Sequence, residues 1–284
     1  MSPLITVGQL KSTLDGGALL TLLDVRWALG DAEGRNHYCD AHIPGAVFVD
    51  LDTELAAYGA PQLGRHPLPA VADLQAAARR WGVRADTPVV AYDQGGNLAA
   101  ARAWWLLRWA GVTDVALLDG GLAAWNEAGY ATRSGDERAE APGDVTLSEG
   151  NMPTLSADEA TTMASDGVLL DARAVGRYSG ASEPVDPRAG HIPGALSSPT
   201  SDNLLPSGRF APAAALRGRF AELDVQPGQT VGVYCGSGVT AAHHIAALSV
   251  AGIDAALYPG SWSQWSSDPA RPIATGTDPS RHHG

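Results

Sequence analysis

His42-Ile-Pro-Gly-Ala46 and His191-Ile-Pro-Gly-Ala195 are the same five residues, at an offset of 149 between positions 42 and 191. The match extends outward from both copies. Leu22-Leu-Asp-Val-Arg26 recurs as Leu169-Leu-Asp-Ala-Arg173. Downstream, Thr87-Pro-Val-Val-Ala-Tyr-Asp93 recurs as Thr230-Val-Gly-Val-Tyr-Cys235. Leu117-Leu-Asp-Gly-Gly-Leu-Ala-Ala-Trp125 recurs as Leu257-Tyr-Pro-Gly-Ser-Trp-Ser-Gln-Trp265. Four segments in one order, at nearly one offset, are the signature of an internal repeat. The chain therefore reads as two copies of one module. The join falls in Thr132–Asp144 and its continuation to Pro153, a polar run with Gly and Pro and no apolar periodicity. We expect an N-terminal domain over 1–135, a linker over 136–152 and a C-terminal domain over 153–284.

The 284 residues and 45% hydrophobic content suit two ordinary cores. Nineteen Lys and Arg against 31 Asp and Glu give a net charge of −12. Nucleic acids and anionic membranes need a basic face, so neither is expected as a partner. A small anion held in a local cationic pocket remains compatible with that charge. Two cysteines, Cys39 and Cys235, are too few for a disulfide framework or a Cys-rich metal site. Met1-Ser-Pro-Leu-Ile-Thr-Val7 carries no cationic, then apolar, leader pattern. No stretch approaches 18 uncharged apolar residues. A soluble, cytoplasmic protein is the expectation, as a monomer or weak dimer.

Each module alternates short β-rich runs with helical periodicity. Strands are predicted at Leu20–Val25, Val89–Tyr92 and Val115–Leu118, and again at Val168–Asp171, Val231–Tyr234 and Ala255–Tyr258. Helices are predicted at Ala70–Trp81 and Leu98–Ala110, and again at Ala213–Leu223 and Thr240–Ala251. A further apolar run follows each His-Ile-Pro-Gly-Ala turn. This alternation predicts an α/β fold with a parallel sheet flanked by helices in each half. Ligands of such sheets bind beyond the C-terminal strand ends.

Cys235 stands at such an end. It opens Cys235-Gly-Ser-Gly-Val-Thr-Ala241 between a strand and an apolar helix. Unpaired N–H groups of the turn and the helix dipole favour an anion at the sulfur, and the thiolate is the nucleophilic form. Gly236 and Gly238 let the backbone curl around it. A small buried core cysteine is the bland alternative. Module one has Asp93 at the matching position, so only one copy carries the nucleophile. Gly236-x-Gly238-x-x-Ala241, with Asp254 beyond it, also fits a dinucleotide fingerprint. That reading leaves too few strands to follow and no role for Cys235.

These features together resemble the tandem-domain rhodanese family, the thiosulfate and 3-mercaptopyruvate sulfurtransferases. The carriers are the two His-Ile-Pro-Gly-Ala motifs, the first copy with Asp93 at the loop-cysteine position, Cys235-Gly-Ser-Gly-Val-Thr240 and Gly260-Ser-Trp-Ser-Gln-Trp-Ser-Ser-Asp-Pro269. The resemblance covers essentially the whole chain. It implies two rhodanese-like domains, each with a five-stranded parallel sheet, and transfer of a sulfane sulfur through a Cys235 persulfide. It implies no metal and no organic cofactor. The donor would be a small anionic sulfur compound; the acceptor would be cyanide or a thiol, including that of a thioredoxin-like protein. A carrier module that hands sulfur only to a protein partner is the alternative. A cysteine phosphatase of related fold would need an Arg six positions after the cysteine, and position 241 is Ala.

Thiosulfate is a dianion, and thiosulfate specialists carry basic residues just after the cysteine. Gly236-Ser237-Gly238 is uncharged. Mercaptopyruvate leaves as an enolate that must gain a proton, which Ser237 can relay. In the mercaptopyruvate enzymes that Ser is linked to a His and an Asp of the N-terminal domain; the matching positions are His66 and Asp52. Substrate binding is implied for Arg177, whose guanidinium fork suits a carboxylate, and for Gly236, Gly238, Val239 and Thr240 of the loop. A second Arg usually follows Glu-Pro; in Glu183-Pro-Val-Asp-Pro-Arg188 the candidate is Arg188. Trp104, Trp105, Trp109, Trp125, Trp262 and Trp265 read as packing residues, Cys39 as a bystander thiol, and His243-His244 as no metal site.

Overall fold

The computed structural model describes residues 2–226 and 228–278. The final histidine pair, His282-His283, lies outside the described residues. The chain forms two compact units. The first holds residues up to Ala57 together with Pro69–Met152 and Leu204–Phe210; the second holds Tyr58–Leu68, Pro153–Asn203 and the chain from Ala211 onward. Each unit thus takes in one short segment from the other half of the sequence. Residues 136–152, expected as a linker, belong to the first unit. Their backbone is bonded there: Gly143 N–H to the Arg79 carbonyl at 2.7 Å, Ser148 N–H to the Ala110 carbonyl at 3.1 Å.

The first unit is built on β1 (Leu4–Ile5), β2 (Thr21–Asp24), β3 (Ala46–Phe48), β4 (Val89–Tyr92) and β5 (Val115–Leu118). They pair in parallel in the order β1-β5-β4-β2-β3. Its helices are α1 (Val7–Asp15), α2 (Gly34–Asp40), α3 (Leu51–Glu54), α4 (Val71–Arg80), α5 (Ala100–Trp109) and α6 (Gly121–Glu127). The second unit has α7 (Ala157–Asp166), β6 (Val168–Asp171), α8 (Val175–Tyr178), β7 (Leu196–Ser197), α9 (Ala213–Ala221), β8 (Val231–Tyr234), α10 (Val239–Ala251), β9 (Ala255–Leu257) and α11 (Ser261–Ser267). Its parallel sheet runs β7-β6-β8-β9. Where the first unit has β1 as a fifth strand, the second has a parallel bridge between Thr154 and Leu257. A single bridge falls short of the fifth strand that the resemblance implies.

The central strands are buried on both faces, with all four residues of β4 and of β8 inaccessible. Buried parallel strands need continuous apolar runs, which is why they were legible. The His-Ile-Pro-Gly-Ala turns secure both sheets in the same way. The Tyr92 hydroxyl accepts from Ile43 N–H at 3.0 Å, and the Tyr234 hydroxyl from Ile192 N–H at 3.1 Å. His42 and His191 place Nδ1 2.9 Å from the carbonyls of Tyr38 and Tyr178 and stack on those tyrosine rings. Gly45 and Gly194 turn the chain at φ 84° and 86°. The Asp-x-Arg repeat gives buried ion pairs, Asp24–Arg26 at 2.8 Å and Asp171–Arg173 at 2.6 Å. Trp104, Trp105, Trp109, Trp125, Trp262 and Trp265 are all buried, as packing residues should be. No helix among the described residues is long and apolar enough to cross a membrane.

Candidate active site

The chain reverses at the end of β8, and Cys235 is the first residue after it. Its side chain is 1% exposed. Gly238 adopts φ 81° and caps α10, and its N–H points at the Cys235 Sγ from 3.1 Å. A side chain at Gly238 would resist that φ, so glycine is required for the N–H to face the sulfur. Val239 and Thr240 are the first residues of α10, where N–H groups have no intrahelical acceptor.

Module one shows what this turn is built to hold. After β4 the corresponding turn wraps the Asp93 carboxylate. It accepts from the N–H groups of Gly95, Asn97 and Ala99 at 2.9–3.0 Å, and from Ala100 at 3.4 Å. Burial pushes this carboxyl up to about 6, opposed by those N–H groups. The two turns are held alike from the last helix of each copy, α6 and α11. Leu122 and Ala123 N–H bond the carbonyls of Asp93 and Gln94; Trp262 and Ser263 N–H bond those of Cys235 and Gly236, at 2.8–3.0 Å. One turn cradles a carboxylate and its copy cradles a sulfur.

Two further side chains complete the start of α11. Ser261 has φ 52°, where module one has Gly121 at φ 58°. A non-glycine residue there is strained. Its hydroxyl accepts from Cys235 N–H at 3.2 Å and donates to the Tyr258 carbonyl at 2.9 Å. Ser263 accepts Arg65 N–H at 3.1 Å. Gly64, at φ 89°, lies so close that a Cβ would meet the Gly260 carbonyl at 2.7 Å. This close approach seats the segment carrying Arg65 and His66 in the second unit.

His66 Nδ1 lies 2.7 Å from the Ser237 hydroxyl oxygen, 171 residues apart in sequence. These two predicted residues are brought together. Asp52 sits on α3 of the first unit, where it accepts from the Trp27 indole N–H at 3.0 Å. Arg177, on α8, lies beside the loop. A Cβ on Gly236 would stand 3.2 Å from Arg177 Nη1 and 3.1 Å from Arg65 Nη2. Two guanidinium groups therefore border the cysteine loop, and Arg65 is one that sequence reasoning passed over. Its signal was its place in Gly64-Arg-His66, next to a predicted site residue.

Arg188 does not provide the second cation. Its guanidinium donates to the carbonyls of Trp265, Ser266, Asp268 and Arg271, with separations of 2.8–3.1 Å for all but the shorter Asp268 bond. It caps the C-terminal end of α11, whose last carbonyls would otherwise lack donors.

Carboxylates balance the cations. Glu183 accepts from Arg177 Nε and Nη2 at 3.2 and 2.7 Å, and from Arg173 at 3.3 Å. Asp186 accepts from Arg177 at 2.9 Å through one oxygen and from Arg65 through the other. Burial and the neighbouring Glu183 push the Asp186 carboxyl up, against the three arginines. Hydrogen bonds from Arg177 hold Glu183 below its usual range despite burial. Arg65, Arg173 and Arg177 thus face Asp171, Glu183 and Asp186, three charges of each sign. His243 and His244 are buried on α10 and bonded to Thr200, Ser198 and Asn203. Among the described residues no group of side chains could hold a metal ion.

Comparison with known proteins agrees with this architecture. The family model of the rhodanese-like domain matches twice, at residues 6–128 and 156–268, and the chain belongs to that family. A Pseudomonas aeruginosa protein provisionally named 3-mercaptopyruvate sulfurtransferase is 49% identical over 283 residues, covering 96% of this chain and 98% of its own. A Mycobacterium tuberculosis protein provisionally named thiosulfate sulfurtransferase SseB is 47% identical over 279 residues, covering 96% and 97%. The crystal structure of SseA from Escherichia coli, a 3-mercaptopyruvate enzyme, is 30% identical with a TM-score of 0.81, covering 92% of this chain and 99% of that one.

Proposed function

We propose that the protein is a sulfurtransferase that takes a sulfane sulfur from a mercapto-oxo acid such as 3-mercaptopyruvate and passes it on from Cys235. The observation that carries this reading is the Cys235 sulfur in an N–H-lined turn, with a Ser237–His66 pair beside it. The Cys235 thiolate attacks the donor sulfur. The donor carbon–sulfur bond breaks, and its electron pair leaves as the enolate of pyruvate. That enolate needs one proton, and the Ser237 hydroxyl, 2.7 Å from His66, is placed to deliver it and be reprotonated by the imidazole. The donor thiol's own proton leaves the transferred sulfur and replaces the one drawn from His66, so the enzyme is left as Cys235–S–S⁻, whose negative charge the turn's N–H groups offset. Cyanide or a thiolate then attacks the outer sulfur and regenerates the thiolate, a two-step covalent cycle. The resemblance extends the relay to Asp52; no step above depends on it.

The charge balance around the loop supports the donor choice. Three arginines meet three carboxylates, so a dianion such as thiosulfate would find little net positive charge. A monocarboxylate needs only one bidentate arginine. Relatives named for each donor are close to equally similar, at 49% and 47% identity.

Intact mass after incubation with mercaptopyruvate should rise by one sulfur, and Cys235→Ser should show no gain. The same preparation should have a higher kcat/KM for mercaptopyruvate than for thiosulfate. A wild-type protein that gains no sulfur from either donor would overturn the reading, and a thiosulfate preference would overturn the donor.

A further inference from the structure

We infer that Asp186 is a built-in competitor for the donor's carboxylate, and that Arg65 is the second cation for which the two compete. The inference rests on the sulfurtransferase reading above and adds what sets its donor affinity.

Asp186 is held as a bound carboxylate would be. Its two oxygens go to two different arginines, Oδ2 to Arg177 at 2.9 Å and Oδ1 to Arg65. Its side chain is only 2% exposed. Both guanidinium groups also reach the loop residue next to Cys235, close to the space a Gly236 Cβ would fill. The carboxylate therefore sits on the cations a small donor must use to present its sulfur to Cys235.

Arg177 does not need Asp186 to stay in place, and the Arg65 backbone is held independently of it. Arg177 is clamped independently by both oxygens of Glu183. Arg65 is fixed through its backbone by Ser263, and Gly64 before it is packed against Gly260. The Arg65 Nε is buried with no hydrogen-bond partner. A buried donor without an acceptor is costly, and a ligand carboxylate could satisfy it.

Asp186 is held in a loop, its own N–H bonded to the Glu183 carboxylate at 3.1 Å, so a competing donor has only the Asp186 side chain to displace. It lies in Pro184-Val-Asp-Pro187, outside any helix or strand. This span is anchored at each end, by Glu183 on the arginines and by Arg188 on the carbonyls ending α11. A monocarboxylate that replaces Asp186 keeps the charge and the two-arginine geometry. A dianion would add a charge that nothing nearby offsets. Competition lowers the donor's apparent affinity by the fraction of sites that Asp186 leaves open.

The test compares wild type, Asp186→Asn, Asp186→Ser and Arg65→Gln. Pyruvate, which carries the carboxylate and no transferable sulfur, serves as the binding probe, and steady-state turnover uses mercaptopyruvate. Thermal unfolding verifies that each variant is folded; the serine variant stands in should the asparagine variant not fold. We expect Asp186→Asn and Asp186→Ser to bind pyruvate more tightly and to lower KM, each by about tenfold. Arg65→Gln should weaken both by a similar factor. A KM and a pyruvate affinity that worsen on loss of Asp186 would overturn the inference, because Asp186 would then only organise the arginines. Unchanged values on loss of Arg65 would overturn it as well. Sulfur uptake by intact mass at saturating donor is read in parallel. Its failure in the wild type sinks the sulfurtransferase reading, whereas pyruvate affinities judge the role of Asp186 separately.

Discussion

Gly236 shows how much one side chain decides. Two guanidinium groups border it, and its missing Cβ leaves them room. Gly236→Ala should push Arg65 and Arg177 away by a few tenths of an ångström. Donor KM is expected to rise about tenfold, with a smaller loss in kcat, because carboxylate positioning suffers before the chemistry does. Steady-state kinetics on the alanine variant measures this, and an unchanged KM would mean the arginines do not hold donor. The sequence named Cys235, Ser237, Gly238 and Arg177 because turn chemistry and family motifs are local. It missed Arg65 and Asp186, whose roles arise only when residues 121 positions apart meet. Ser261 was legible in principle. It stands where the first copy has Gly121, and a serine replacing a positive-φ glycine marks strain kept for a reason.

At the scale of the element, the strand–turn–helix unit is an anion cradle in both copies. In β4–α5 the four N–H groups around Asp93 are satisfied by its carboxylate. Asp93→Ala would leave them buried without acceptors, at about 1–3 kcal/mol for each group left unsatisfied. A loss of about 3 kcal/mol or more is expected in denaturant unfolding, and a loss under about 1 kcal/mol would show that water replaces the carboxylate. Strand and helix interiors were predicted almost to the residue: Val89–Tyr92, Val115–Leu118, Val168–Asp171 and Val231–Tyr234 match β4, β5, β6 and β8. The short elements α3 and α8, of four residues each, carry too little periodicity to be seen. They hold Asp52 and Arg177.

At the scale of the molecule, the charge of −12 repels an anionic donor at long range, while the site's own charges are balanced in number. Raising ionic strength from about 0.01 to about 0.1 M shortens the Debye length from about 30 to about 10 Å. The kcat/KM for mercaptopyruvate should therefore rise modestly with salt; a steady fall, with two different salts, would show that local arginine attraction outweighs the global field. The repeat, the α/β class and the presence of a loop cysteine in one copy only were determined by the sequence alone, because periodicity, turn residues and a Cys in place of Asp are properties of neighbouring residues. Which cation partners Arg177, what occupies that cation pair, and which unit residues 58–68 and 204–210 join were decided only in three dimensions. Those outcomes depend on close approach between distant segments, Gly64 against Gly260 and Arg65 against Asp186, and no local pattern records a contact of that kind.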